Sequence, residues 1–173
     1  MHVLNARQQE LWRELCRISR ALDSGNIFKW HRPKSLYIHG SVGKACFLGT
    51  GKTMLMDRFY NNVSSTSKIR LHHNQLLPCL IENKTPFAQL ICYDEVQMRE
   101  IGEAMLLRRF FESALQNGTF LVCTSNLHPS ELYKHGARRE LLVPCLDLIL
   151  SRMHVFDLNG PDYRSDRCGS NLL

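Results

Sequence analysis

The sequence predicts an α/β fold, a mainly parallel sheet flanked by helices. Three observations carry that expectation. Ser35-Leu-Tyr-Ile-His39 is a short apolar run that leads through glycines into Gly51-Lys-Thr-Met-Leu-Met-Asp-Arg-Phe-Tyr60, the layout of strand, loop and helix. Gln89-Leu-Ile-Cys-Tyr93 is a second apolar strand and ends in two adjacent carboxylates, Asp94 and Glu95. Thr119-Phe-Leu-Val-Cys-Thr124 is a third, apolar and β-branched, with a polar tip at Ser125-Asn126. Strands that alternate with helical patterns in this way read as a parallel sheet covered by helices.

The remaining elements follow in chain order. Residues 5–23 read as a helix, because Leu11, Leu15, Ile18 and Leu22 form one apolar stripe. Arg13, Arg17 and Arg20 lie on its other face. Glu10, Glu14 and Asp23 favour a helix packed beside the sheet over an organelle-targeting peptide, which would be poor in acids. Asp23-Ser-Gly-Asn26 is a turn, and Pro33 suits a strand entrance. A helix is expected from about Gly51 to Asn61 and a short strand at Lys68–His72. His72-His73 lacks a third ligand at metal-site spacing, so no metal centre is expected there. Residues 74–88 hold two prolines and show no periodicity.

A core-packing helix is expected from Glu100 to Leu115, on the spacing of Ala104, Leu107, Phe111 and Ala114, and Gly118 closes it. A short helix is expected from His128 to Gly136, a longer one from Leu141 to Arg152 with Pro144 near its start, and a last strand at Met153–Leu158. The tail from Asp162 is polar.

Composition sets the outer limits. The chain has 173 residues, 44% hydrophobic and 22% charged, ordinary for a globular domain, and one domain is expected. No apolar run approaches the roughly 20 residues of a membrane helix. The net charge of +6 permits contact with nucleic acid. No block of like charges appears, which favours a solvated basic surface instead. Seven scattered cysteines without a CxxC pair speak for a reducing compartment and against a disulfide framework.

The chemistry centres on the first strand–loop–helix unit. Glycines let backbone N–H groups surround phosphate oxygens, and a helix N-terminus adds its positive dipole end. Gly40, Ser41, Val42 and Gly43 read as one half of such a cradle, and Thr50, Gly51, Lys52 and Thr53 as the other. Lys52 would reach the β- and γ-phosphates, and the Thr53 hydroxyl would ligate Mg²⁺. Gly40 to Thr53 is fourteen residues where the usual pattern has eight, so six are extra, either Lys44 to Gly49 or Gly43 to Leu48. Asp94 would hold Mg²⁺ and Glu95 would polarise the attacking water. Taken alone, the acidic pair also reads as a helix cap and Asn126 as a turn residue.

Together these residues resemble the AAA+ ATPases that include the mitochondrial lactation-elevated ATPase and the bacterial cell-division protein ZapE. The resemblance rests on residues 33–43, Thr50–Tyr60, Asp94-Glu-Val-Gln97 with Ala104-Met105, Thr124-Ser-Asn126, Leu132–Gly136 and Gly160–Arg164. It implies an ATP hydrolase with ATP and Mg²⁺ as cofactors, working as a ring-like homo-oligomer. It assigns the γ-phosphate sensor to Asn126 and an arginine reaching a neighbour's ATP to Arg139, or to Arg138. It also implies a mitochondrial setting in a eukaryote and a cytoplasmic one in a bacterium.

Three departures stand out: the loop insertion, a middle segment between His72 and Gln89 in which a helix looks missing, and a chain that stops soon after Arg164. The competing expectation is a non-catalytic interaction module whose phosphate loop the insertion disrupts. A third is a nucleic-acid-associated ATPase similar to helicase loaders. The expected organisation is an N-terminal helix and approach loop at 1–32, a nucleotide-binding core at 33–164 and a polar tail at 165–173.

Overall fold

A computed structural model describes residues 4–23, 33–40, 51–64 and 67–159. Among them are five strands, β1 (Ser35–His39), β2 (Lys68–His72), β3 (Leu90–Asp94), β4 (Phe120–Ser125) and β5 (Met153–Asp157). Five α-helices accompany them: α1 (Ala6–Asp23), α2 (Lys52–Asn62), α3 (His73–Ile81), α4 (Ile101–Gln116) and α5 (Val143–Arg152). The strands form one sheet in the order β2-β3-β4-β1-β5, and every pairing is parallel.

Both faces of the sheet are covered, which is why its central strands read as unbroken apolar runs. Leu36, Ile38, Leu90, Cys92, Phe120 and Val122 point to one side, against Leu11, Leu15 and Ile18 of α1 and Leu55, Met56 and Phe59 of α2. Tyr37, Ile91, Tyr93, Leu121 and Cys123 point to the other, against α3, α4 and α5. The alternation holds residue by residue along each strand, as the two-residue repeat of a pleated strand requires.

Two stretches differ from the sequence expectation. Residues 74–88 gave no helical signal, yet α3 occupies their first half with Pro78 inside it. Its start is fixed by an unusual cap. The Asn74 N–H donates to His72 Nδ1 at 3.3 Å, and the His72 N–H donates to Gln75 Oε1 at 2.9 Å. A histidine in the role of serine or threonine, followed by a proline, hides a capping box from pattern reading. The helix expected from His128 to Gly136 is a single 3₁₀ turn, Pro129–Glu131. A second, Arg139–Leu141, precedes α5, which begins at Val143 with Pro144 in its first turn.

His73 is buried at the head of α3, with Nδ1 2.7 Å from the Tyr93 hydroxyl. Burial holds its pKa below the ordinary 6.5; the strongest opposing influence is Glu103. The unfolded chain therefore takes up a proton near pH 6.5 while the folded chain does not, and stability falls as pH drops below that point. In His73→Gln the loss of stability between pH 7 and pH 5 becomes shallower, read from urea midpoints at the two pH values. The neutral His39, held low by burial as well, keeps part of the slope.

Candidate functional site

In a parallel sheet the carboxyl ends of all strands lie on one edge, and ligands gather there, where successive connections diverge. Here the chain leaves β1 toward β2 and later returns from β4 past β1 to β5. Lys52, Thr53, Asp94, Glu95 and Asn126 all sit at or just beyond that edge.

Gly51 opens α2 in the left-handed region at φ 80°, a conformation glycine adopts freely. A Cβ there would also stand 2.8 Å from Gln8 Nε2 of α1. The turn places Lys52 and Thr53 at the exposed N–H end of α2. Lys52 Nζ donates to Gly40 O at 2.6 Å and to Asn126 Oδ1 at 3.0 Å, so the ammonium spans β1 and β4. Burial lowers its pKa, and the charges of Asp94 and Glu95 act in the opposite direction.

Asp94 is 3% exposed. Its Oδ1 accepts from the Thr124 hydroxyl at 2.5 Å and from the Thr53 hydroxyl at 3.2 Å. Its Oδ2 accepts from Arg70 Nη2 at 3.0 Å, and Arg70 Nε lies 2.6 Å from Asp57 Oδ1 on α2. Hydroxyl and carboxylate oxygens from Thr53 and Asp94 are hard donors close to one another, which fits a Mg²⁺ that completes its shell with phosphate and water.

Glu95 follows with φ 61°, the left-handed region that most residues avoid. Two bonds to Thr124 hold it there: the Glu95 N–H donates to Thr124 Oγ1 at 3.0 Å, and the Val96 N–H to Thr124 O at 2.7 Å. The turn sends the Glu95 side chain outward, where Oε2 is 2.9 Å from His72 Nε2. His72 Nδ1 already accepts from Asn74, so the ring proton sits on Nε2 and donates to Glu95. A cleft of about 170 Å³ lies between Glu95–Gln97 and Ser125–Leu127.

The edge thus brings together Gly40, Gly51, Lys52, Thr53, Asp94, Glu95 and Asn126. Arg139 stands apart from this contact network: its Nη2 donates to Ser130 O, and its Nε is buried without a hydrogen-bond partner among the described residues. Ser41, Val42, Gly43, Thr50 and both versions of the extra segment lie outside the described residues, as does Gly160–Arg164. Pattern reading missed Arg70 and Thr124. The signal for Arg70 was its position two residues before His72, which puts both side chains on one face of β2 near its carboxyl end.

An all-parallel sheet with this lysine, threonine and acidic pair at its carboxyl edge defines a P-loop NTPase fold. A solved structure of the same architecture is AMPPCP-bound DnaA from Aquifex aeolicus. It superposes with a TM-score of 0.63 at 15% identity over 90% of this chain and 48% of that one. The sequence profile of the AFG1-like ATPase family matches residues 77–171, and the chain belongs to that family. It is 35% identical over 166 residues to Lactation elevated protein 1 homolog B of Danio rerio, covering 79% of this chain and 32% of that protein. It is 32% identical over 153 residues to the cell division protein ZapE of Escherichia coli, covering 78% and 39% respectively. The chain therefore spans about a third of the length of the curated relatives it matches.

Thr124 carries two bonds with one buried hydroxyl. Thr124→Val removes the donor to Asp94 and orphans the Glu95 N–H, at a cost of about 1–3 kcal/mol. Thr124→Ser keeps the hydroxyl and most of the stability. Urea unfolding of the two variants side by side checks this.

Proposed function

We propose that this chain binds ATP and hydrolyses it in a Mg²⁺-dependent reaction. The observation that supports the reading best is the convergence at one sheet edge. Lys52 sits between Gly40 and Asn126, while Thr53 and Asp94 share a hydrogen bond 3.2 Å long. Membership of an ATPase family and a fold neighbour bound to AMPPCP point the same way.

In this reading the N-terminus of α2 and Lys52 receive the phosphates. Gly40, Ser41, Val42, Gly43, Thr50 and Gly51 supply the backbone cradle. Lys52 exchanges its bonds to Gly40 and Asn126 for phosphate oxygens, and this frees the Asn126 amide to contact the γ-phosphate. Thr53 and Asp94 would hold the metal, which would supply positive charge against the negative charge that builds on the phosphate oxygens. Glu95 leaves His72 and accepts a proton from the attacking water.

Arg139 would act on a neighbour's nucleotide in a ring-like homo-oligomer, leaving Ser130 to do so. An arginine in trans supplies charge where the transition state needs it and makes turnover depend on assembly. The basic balance of the chain alone gives nucleic acid no favoured place among its partners.

Lys52→Ala is expected to abolish ATP binding in calorimetry. Glu95→Gln is expected to keep binding and lower turnover by roughly two orders of magnitude or more, the size of a general-base contribution. ATP turnover unchanged in both variants would refute the proposal. Arg139→Ala is expected to keep ATP affinity and reduce turnover at concentrations where the wild type assembles, measured by phosphate release across a dilution series.

A further inference from the structure

Asp94 is the only carboxylate that the described residues place beside the Thr53 hydroxyl, and it already has a cation. The Arg70 guanidinium takes Oδ2 at 3.0 Å while its Nε stands 2.6 Å from Asp57. Two carboxylates meet it, Asp57 on α2 and Asp94 on β3, while His72, two residues along β2, turns to Glu95. A metal-ligating carboxylate whose outer oxygen is neutralised by a fixed guanidinium attracts a second cation weakly, because the two positive charges repel at short range.

We propose that Arg70 is a resident counter-cation, a positioning residue that keeps Asp94 from binding Mg²⁺ on its own. The metal then enters together with the nucleotide, whose phosphates bring the negative charge the protein withholds. Arg70 also holds the carboxylate by Oδ2, so that Oδ1, which accepts from the Thr53 and Thr124 hydroxyls, is the oxygen on the Thr53 side. The inference rests on reading Thr53 and Asp94 as the metal-holding pair.

A simple strut between α2 and β3 would use the same contacts, so the test must read cation affinity rather than activity. Mn²⁺ serves as the probe, and its free concentration is followed by electron paramagnetic resonance during titration of the nucleotide-free full chain. Removing one positive charge from within a few ångströms of a divalent cation is worth about tenfold in affinity even at the dielectric of water.

Arg70→Gln is therefore expected to bind Mn²⁺ about tenfold more tightly than the wild type, and Arg70→Lys to stay near the wild type. The gain should vanish in the double variant Arg70→Gln with Asp94→Asn. A folded Arg70→Gln with less than about a twofold gain overturns the proposal. So does a wild-type chain that binds Mn²⁺ more tightly than about 0.1 mM without nucleotide, a result that needs no variant to fold. ATP binding to the wild type is measured alongside. Its failure would count against the ATPase reading, whereas normal ATP binding with no gain in Arg70→Gln would count against Arg70 alone.

Discussion

A carboxylate buried at the end of a strand is an unstable thing to build unless its charge is answered from several directions. Asp94, at the end of β3, is answered from three elements: Arg70 comes from β2, Thr53 from α2 and Thr124 from β4. An ionised group taken out of water costs several kcal/mol, and losing one partner of such a cluster leaves that cost uncompensated. With β3 between β2 and β4, its parallel neighbours deliver a guanidinium to one carboxylate oxygen and a hydroxyl to the other.

The lysine poses the complementary problem across the same edge. Lys52 is nearly buried, and desolvation disfavours its charge. The fold answers with neutral oxygens, a β1 carbonyl and the Asn126 amide, and with the nearby field of the acidic pair. Neutral acceptors stabilise an ammonium less than a carboxylate would, so a phosphate displaces these two more readily than it would a carboxylate. Asp94 is thus engaged by a cation and two hydroxyls, and Lys52 by two neutral oxygens among the described residues, so of the two charges the ammonium is the more open to an incoming ligand of opposite sign.

The central strands were legible because burial on both faces writes itself as continuous apolar runs, and because glycines and adjacent acids punctuate their ends. What stayed hidden shares a cause. Arg70 and Thr124 reach Asp94 across strand register, 24 and 30 residues away in the chain, and local spacing carries no record of lateral neighbours. Helix α3 escaped because its cap is a histidine and its interior holds Pro78. The stretch from His128 to Leu142 contains helical composition but folds as two 3₁₀ turns. Arg138 takes the left-handed region at φ 55° between them, which breaks any longer helix.

Neighbouring acids in the sequence end up with opposite mechanical characters. Asp94 is locked by three side chains in the interior, whereas Glu95 is fixed only through its backbone, by Thr124, and its exposed side chain meets one half-buried histidine. A pair that open to solvent is worth about 0–1 kcal/mol, so the Glu95 side chain exchanges partners at little cost while its Cα stays where it is. That division suits the two roles proposed for them. A metal ligand gains from being held in place before the ion arrives. A proton acceptor must let go of one hydrogen-bond partner before it can take another. His72, the partner that Glu95 would release in the proposed exchange, is also the cap of α3, so that exchange would take place at the start of this helix.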